Sequence, residues 1–447
     1  MKYHLVTLGC PKNVTDSVQL TRALRAAGHA PVESPQPADL LIVNSCGFID
    51  AAKAESEQTA RQLGIEKRTE QRLIVVGCWS QIEPDRAAAI AGVDRAFGIE
   101  AYDEIVGWLG PSDAVDIPET TVAQAHASAR GAASAYLKIS DGCARPCTFC
   151  NIPGIKGRSF RSTPEDLLVD EAKRLAEAGA KELVLVAQDS TAYGEELGQQ
   201  EGTARLLERL ATEVPGVPWL RLMYAYPGFV SEALVETMAA IPQVCHYLDI
   251  PLQHGSQTVL QRMKRPHNLP MVHDTLDRLR AAMPDIAIRT TFLVGFPGET
   301  KAEFEQLLDF VRAARFDRAG AFAFSPQDGT PAASMPGQVP DKIKQRRQRR
   351  LMSVQGKIAA EINEAHVGRE LELLVESNAG QVTEDGEPIF VGRSYRDAPE
   401  VDGLVFCYGV ARPGSMPRVR IVGSLGHDLL AEPVDAEVIP LVESSPG

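Results

Sequence analysis

Cys143, Cys147 and Cys150 stand at a Cys-x3-Cys-x2-Cys spacing directly after the apolar run 135–139. Three thiolates this close cannot all be presented by helix or strand geometry. A loop wrapped around an inorganic cluster can deliver them to three irons of one cube, leaving the fourth iron without a protein ligand. Ferredoxin-type runs supply a fourth thiolate, because an electron carrier is served by a closed shell. An open iron instead suits chelation by a small molecule, and S-adenosylmethionine (SAM) offers an amino and a carboxylate group for it. The alternative is zinc, which usually takes a second close pair of ligands downstream. No second close pair exists in this chain.

A second cysteine set emerges from the pattern of residues 1–110. Apolar runs at 3–8, 39–44 and 72–77 are separated by helix patterns at 16–27, ended by Gly28, and at 51–68. A further helix pattern starts near Ile82. Strands alternating with helices predict a parallel sheet with right-handed crossovers. Ligands of such sheets bind beyond the carboxyl ends of the strands. Cys10, Cys46 and Cys78 each fall one or two residues past one of these runs. One such cysteine is an ordinary core residue. Three in equivalent places point to a shared metal, again with one iron left open.

The elements that must position these residues fill a chain of 447 residues, enough for two or three domains. Apolar residues make up 44 % and charged residues 23 %, as in globular proteins. No stretch approaches 18 uninterrupted apolar residues, and the opening MKYHLVTLGC has no long apolar run. Neither a membrane span nor an export leader is expected, and eight sparse cysteines suit a reducing cytoplasm. The net charge of −13 argues against a broad basic surface for nucleic acid and suits a basic partner, including a protein.

Residues 111–134, rich in Ala, Ser and Thr, read as a linker. Strand patterns then recur at 135–139, 182–187, 219–224, 247–250, 286–294 and 319–324. A helix is expected from the Ser162-Thr163-Pro164-Glu165 start to Gly179, and another over 300–314. Six such units are short of a closed TIM barrel and predict a partial (β/α)6 barrel, open on one side to a large substrate. Its rim would carry Gln188 and Asp189 after the second strand and Gly295 to Glu299 after the fifth, as cofactor contacts or plain turns. Arg158 and Arg161 read either as carboxylate partners or as surface residues, and His254, Cys245 and Cys407 as structural. Residues 341–366 form a basic helix, packed on the barrel or touching RNA. Short strands at 370–376, 389–393, 404–408 and 418–422, with a turn at Glu384-Asp385-Gly386, predict a small all-β barrel. Between residues 369 and 433 acidic residues outnumber Lys and Arg by 11 to 6, unlike a barrel built to grip RNA.

The central cysteine spacing, with Phe149 in the aromatic position before the last cysteine, resembles the radical-SAM superfamily. With both triplets the chain resembles the methylthiotransferases over nearly its whole length. That resemblance implies a cluster domain at 1–110, a linker at 111–134, a radical-SAM barrel at 135–340, a connecting helix at 341–368, a TRAM-like β-barrel at 369–435 and a tail at 436–447. Cys10-Pro11-Lys12-Asn13, the stretch Tyr247-Leu248-Asp249-Ile250-Pro251-Leu252-Gln253-His254-Gly255-Ser256, and Asp397-Ala398-Pro399-Glu400-Val401-Asp402-Gly403 are similar to the RimO-like branch. That branch methylthiolates the β-carbon of an aspartate in small-subunit ribosomal protein twelve, giving 3-methylthioaspartate. The resemblance implies two 4Fe-4S clusters and SAM, Cys143, Cys147 and Cys150 holding the cluster that reduces SAM, and Cys10, Cys46 and Cys78 holding the one that carries sulfur. A second SAM would first methylate that sulfur. Phe149, Gln188, Asp189, Gly295 and Glu299 are the expected cofactor contacts. A basic ribosomal protein, a reductant protein and a secondary RNA contact are the expected partners. Thr163 departs from the arginine common in the family. The alternatives are methylthiolation of a tRNA adenosine, and a non-enzymatic iron–sulfur carrier or RNA-binding module.

Overall fold

The computed structural model describes residues 1–110, 133–382 and 388–434. Hydrophobic patterning decides the first sheet. Strands β3 (Leu40–Ser45) and β4 (Arg72–Gly77) are apolar runs buried along nearly their whole length, as strands covered on both faces must be. With β1 (Lys2–Thr7), β2 (Ala30–Pro31) and β5 (Arg95–Ala96) they form a parallel sheet in the order β2-β1-β3-β4-β5. The register sets Thr7 beside Asn44 and Asn44 beside Val76, so three carboxyl ends finish at one edge. Helix α1 (Pro11–Ala26) begins five residues earlier than the expected start at Asp16, because Pro11 fits the first helical turn and Cys10 caps it in an extended conformation. Helix α2 (Asp50–Glu66) lies where periodicity puts it. The two-residue strands β2 and β5 are too short to leave a pattern.

The central sheet contains β6 (Ser134–Lys138), β9 (Glu182–Val186), β10 (Trp219–Leu222), β11 (Val244–Asp249), β12 (Ala287–Val294) and β13 (Arg318–Ala323). A small antiparallel ribbon, β7 (Ser140–Asp141) with β8 (Arg161–Ser162), follows β6 and brackets the cysteine loop. The six main strands are parallel, in the order β13-β12-β11-β10-β9-β6. Strands β6 and β13 are the two edges, so the barrel is open between them. Its strands and helices enclose the largest apolar core, with Leu185, Leu222, Leu248 and Phe292 fully buried. Ser162 does not cap the following helix as expected. It pairs in β8, and Pro164 takes the cap position of the helix Glu165–Glu177. Residues 111–132 of the expected linker, the turn at Glu384-Asp385-Gly386 and the tail at 436–447 lie outside the described residues.

Six short strands, β14 (Glu370–Glu372), β15 (Leu374–Val382), β16 (Pro388–Arg393), β17 (Val405–Tyr408), β18 (Arg418–Leu425) and β19 (Asp428–Pro433), curl around an apolar core of their own. The expected strand at 370–376 is split at Leu373, and β19 is additional. The helix Asp341–Glu364 packs on the barrel, burying Leu351 and Ile358, with Gln355 Nε2 donating to Phe316 O at 2.7 Å.

The loop 394–403 turns inward and covers the barrel end opposite the cysteine loop. Asp397 pairs with Arg318 at 2.6 Å, and Asp402 accepts from Tyr247 Oη at 2.6 Å and Arg289 Nε at 3.2 Å. Arg393 reaches Glu182 at 2.7 Å, while Arg221 holds the same carboxylate at 2.6 Å. Part of the acidity of this last domain is therefore committed to ion pairs rather than left as a free face. Asp397 and Asp402 are buried against barrel arginines, Glu376 pairs with Arg393, and Glu370 pairs with Arg418 and Arg420. Burial would raise the Glu182 carboxyl, but Arg393 and Arg221 hold it down at about 2. Its contribution to stability is present above the ordinary glutamate range and fades as pH falls toward 2. Glu182→Gln leaves two buried guanidinium groups short of charge and is expected to cost about 3–5 kcal/mol near neutral pH. Urea titrations of both proteins should show that penalty shrinking below pH 4.5; a pH-independent penalty would argue against the ionic account.

Candidate functional site

The three cysteines of the first sheet meet at its carboxyl edge by three different routes. Cys10 lies three residues past β1 as the cap of α1, Cys46 lies one past β3, and Cys78 opens the short helix α3 (Cys78–Ile82) one past β4. Asn13 binds them into one unit. Its Oδ1 accepts from Cys10 Sγ at 3.9 Å and Cys78 Sγ at 3.6 Å, and its Nδ2 donates to Leu8 O at 2.8 Å and Ser45 O at 3.2 Å. Ser56 Oγ accepts from Cys46 N at 2.9 Å and fixes the third loop. Gly9 has φ +97°, and a Cβ there would stand 2.9 Å from Cys46 Sγ, in the space the thiols share. The sequence places Asn13 in a family-like stretch but gives it no role. Its signal was an amide side chain one helical turn after Cys10.

The central triplet lies in a loop without regular structure between β7 and the short helix Ile152–Ile155. Gly142, with φ +77°, lets the chain pass where a Cβ would stand 2.2 Å from Ser159 O. Thr148 anchors the loop to the opposite wall, its N donating to Met263 O at 3.0 Å and its Oγ1 to Arg262 O at 3.0 Å. Cys147 Sγ lies 3.8 Å from Tyr226 Oη and accepts from Arg265 Nη1 at 3.6 Å. The Arg265 guanidinium stacks 4.0 Å over the Tyr226 ring. Phe149 turns to the wall, packing against the apolar cluster of Val259, Leu260, Met263, Phe296 and Phe324.

The expected rim residues are engaged within the protein. Asp189 is buried, receives Arg145 Nε at 2.6 Å and caps the next turn through Thr191 N at 3.0 Å. Gln188 Nε2 donates to Asp141 Oδ1 at 2.9 Å. Gly295 and Phe296 both donate backbone N–H to Glu299 Oε2, so the Gly295 and Glu299 positions belong to one closed turn. His254 is fully buried, with Nδ1 accepting from Ser256 N at 2.9 Å. Arg158 is exposed, while Arg161 donates to Lys156 O at 2.7 Å. Cys245 and Cys407 lie in two apolar cores apart from both triplets.

The two triplets face one another across a seam. Asn151, next to Cys150, donates to the carbonyl of Gly47, next to Cys46, at 3.4 Å. Beneath that contact Asp16 takes Lys138 at 2.6 Å and Lys156 at 2.8 Å, and both lysines also reach Asp141, at 3.3 and 3.1 Å. Burial alone would push Lys156 down and Asp141 up. Asp16 and Asp141 instead hold Lys156 well above the usual lysine value, while Lys138 and Lys156 hold Asp141 well below the usual carboxylate range. Burial pushes the Cys78 thiol up to about 12, Lys156 pulling the other way, and the Cys150 thiol up to about 12. Such thiols keep their protons unless a metal takes the proton's place. Each donor set is three thiols with no fourth, which fits a cluster that keeps one iron open.

Three family comparisons match in turn along the chain. Residues 2–98 match the Uncharacterized protein family UPF0004, 137–311 the Radical SAM superfamily and 367–434 the TRAM domain. In solved structures the fold is shared with the radical S-adenosylmethionine methyltransferase TsrM from Kitasatospora setae, at a TM-score of 0.56 and 14 % identity over 74 % of this chain and 77 % of that one. These family matches, with the relatives that follow, make the chain a radical-SAM methylthiotransferase. The chain is 44 % identical to the ribosomal protein uS12 methylthiotransferase RimO of Chloroflexus aurantiacus, covering 97 % of this chain and 99 % of the relative. It is 43 % identical to the RimO of a Roseiflexus species, covering 98 % of each. It belongs to the RimO family.

Anaerobic reconstitution followed by iron and sulfide quantitation checks the site. Triple alanine replacement of Cys10, Cys46 and Cys78, or of Cys143, Cys147 and Cys150, should each remove about half the bound iron. Asn13→Ala should lower iron retention in the first site alone. Full iron in either triple variant would break the assignment of that triplet.

Proposed function

We propose that this chain adds a methylthio group to the β-carbon of an aspartate in ribosomal protein uS12, giving 3-methylthioaspartate. The observation that carries this reading is the pair of three-thiol sites opposed across one seam, in a chain of the RimO family. The target β C–H bond has no useful acidity, so a positioned general base offers no route to it. When bound, the two 4Fe-4S clusters and SAM supply a carbon-centred radical able to take that hydrogen, and the sulfur and methyl group that replace it.

The chain's own residues do the placing. Cys143, Cys147 and Cys150 hold one cluster with an iron left open to SAM, and Tyr226 and Arg265 crowd Cys147. Arg145 lies 3.8 Å over the Phe229 ring and pairs with Asp189, walling one side of the loop against water. Cys10, Cys46 and Cys78 hold the other cluster, oriented by Asn13. Asp16 and Asp141, clamped by Lys138 and Lys156, keep the two sites at fixed separation, and the open edge between β6 and β13 leaves room for a protein substrate. The working units are residues 1–110, 135–340 and 369–435, with helix 341–368 joining the last two. The last unit, matched by the TRAM domain, assists by contacting RNA near the substrate, and a separate protein supplies electrons. The work is assigned to the cytoplasm, where a ribosomal substrate is met; no helix of the described residues is long and apolar enough to cross a membrane.

Mass spectrometry after incubation with SAM and reductant tests the reading, with purified uS12 and bulk tRNA offered in parallel. The methylthio group should appear on the aspartate of uS12 and not on tRNA; product on tRNA alone would overturn the assignment. Cys10→Ala should yield no methylthiolated uS12.

A further inference from the structure

At the barrel mouth Lys12 is a cation that the seam's ion cluster does not use. Lys138 and Lys156 are committed to Asp16 and Asp141. Lys12, two residues after Cys10, instead reaches out of the first domain and over the barrel. Its Nζ stands 3.5 Å above the Tyr224 ring and donates to Ala187 O at 3.4 Å. Among the described residues no carboxylate lies within 4.0 Å of it, a distance at which every other ion pair of the site qualifies. The nearby Asp249 is already neutralised, its Oδ1 held by Arg289 at 2.8 Å.

The surroundings are built to hold this ammonium where it is. Ala187 and Tyr224 follow the carboxyl ends of β9 and β10, the end at which barrel chemistry sits. Tyr224 keeps a φ of +64°, strained for a residue with a side chain, and is fixed there by Ser190 N donating to its carbonyl at 3.1 Å and by its own N donating to Asp249 Oδ2 at 3.3 Å. The strained tyrosine offers its ring face to Lys12, which stabilises the cation without neutralising it. A half-buried ammonium with one long hydrogen bond and a ring beneath it is short of an anion.

We propose that Lys12 binds the side-chain carboxylate of the substrate aspartate and so places its β-carbon between the two cysteine triplets. This rests on the function proposed above. The aspartate carboxylate is one bond from the β-carbon, so an ion pair at Lys12 fixes the reacting carbon beside Cys10 on one side and the barrel mouth on the other. It also rejects asparagine, whose neutral amide leaves the ammonium unpaired.

Equilibrium binding of uS12, and of uS12 carrying Asn in place of the modified Asp, to reconstituted wild-type, Lys12→Met and Lys12→Arg enzymes tests this. Iron content serves as the control for intact sites. The wild type should prefer the aspartate form by about 30-fold or more, the effect of removing one partner of a desolvated charge pair. Lys12→Met should lose that preference to within a few-fold, and Lys12→Arg should recover much of it. An undiminished preference in Lys12→Met, with both substrates weakened alike, would mean that Lys12 only ties α1 to Tyr224. A matching loss of SAM affinity in Lys12→Met would make the carboxylate of SAM the occupant. Either result overturns the proposal. Wild-type enzyme that neither binds nor modifies uS12 would instead overturn the function on which it rests.

Discussion

Asp16 and Asp141, each shared by Lys138 and Lys156, fix the relation on which everything else in the molecule depends. Two opposed sites are useful only at a set separation, since a reaction between positioned groups is lost with an ångström of misplacement. An apolar seam would hold the two domains together yet tolerate sliding. A buried four-charge cluster does not, because any slip leaves an unpaired charge out of water. Its value is in specifying one geometry rather than in adding stability. The Arg22–Glu171 pair at 2.5 Å reinforces the same seam from α1.

The opposite end of the barrel uses the same device for another purpose. Glu182, Arg221 and Arg393 form a fully buried triad, and Arg318, Arg289 and Tyr247 receive Asp397 and Asp402. The stretch Asp397 to Gly403, one of those similar to the RimO-like branch, is thereby the bolt that holds the last domain to the barrel. Between these polar ends runs one continuous apolar core. The barrel is thus a rigid platform with a domain fixed at each end and one open edge. Net charge says little here, because Asp397 and Asp402 turn inward to barrel arginines while Arg393 and Arg396 of the same domain turn inward to Glu182 and Asp317.

Within the central site the three thiols are not equivalent. Cys147 has the Arg265 guanidinium and the Tyr226 hydroxyl at its sulfur, while Cys150 is deep and its thiol pushed up by burial. Hydrogen bonds to a ligating sulfur and its exposure are the means by which proteins set cluster potentials. With a cluster held by these thiols, this wall of the barrel would shape the electronic character of the site as well as its outline.

By itself the sequence determined the two cysteine triplets, the alternation of strands and helices in the first domain, the six strands of an open barrel and the short strands beyond Gly368. Each of these is a local pattern of spacing or period. Only the tertiary structure decided the rest. The strands β2, β5 and β8 are two residues long and carry no period. Asn13 and Lys12 belong to a stretch that carries the family resemblance, yet neither has a role until the fold sets one among three cysteine loops and the other over Tyr224. Gln188, Asp189 and Glu299 sit near the rim as their positions suggest, yet each is tied to a neighbour from another part of the chain or to its own turn. Lys156 and Asp16 are 140 residues apart. A bond over that distance leaves no mark on either neighbourhood, because burial and partner are properties of the folded chain and not of any window along it.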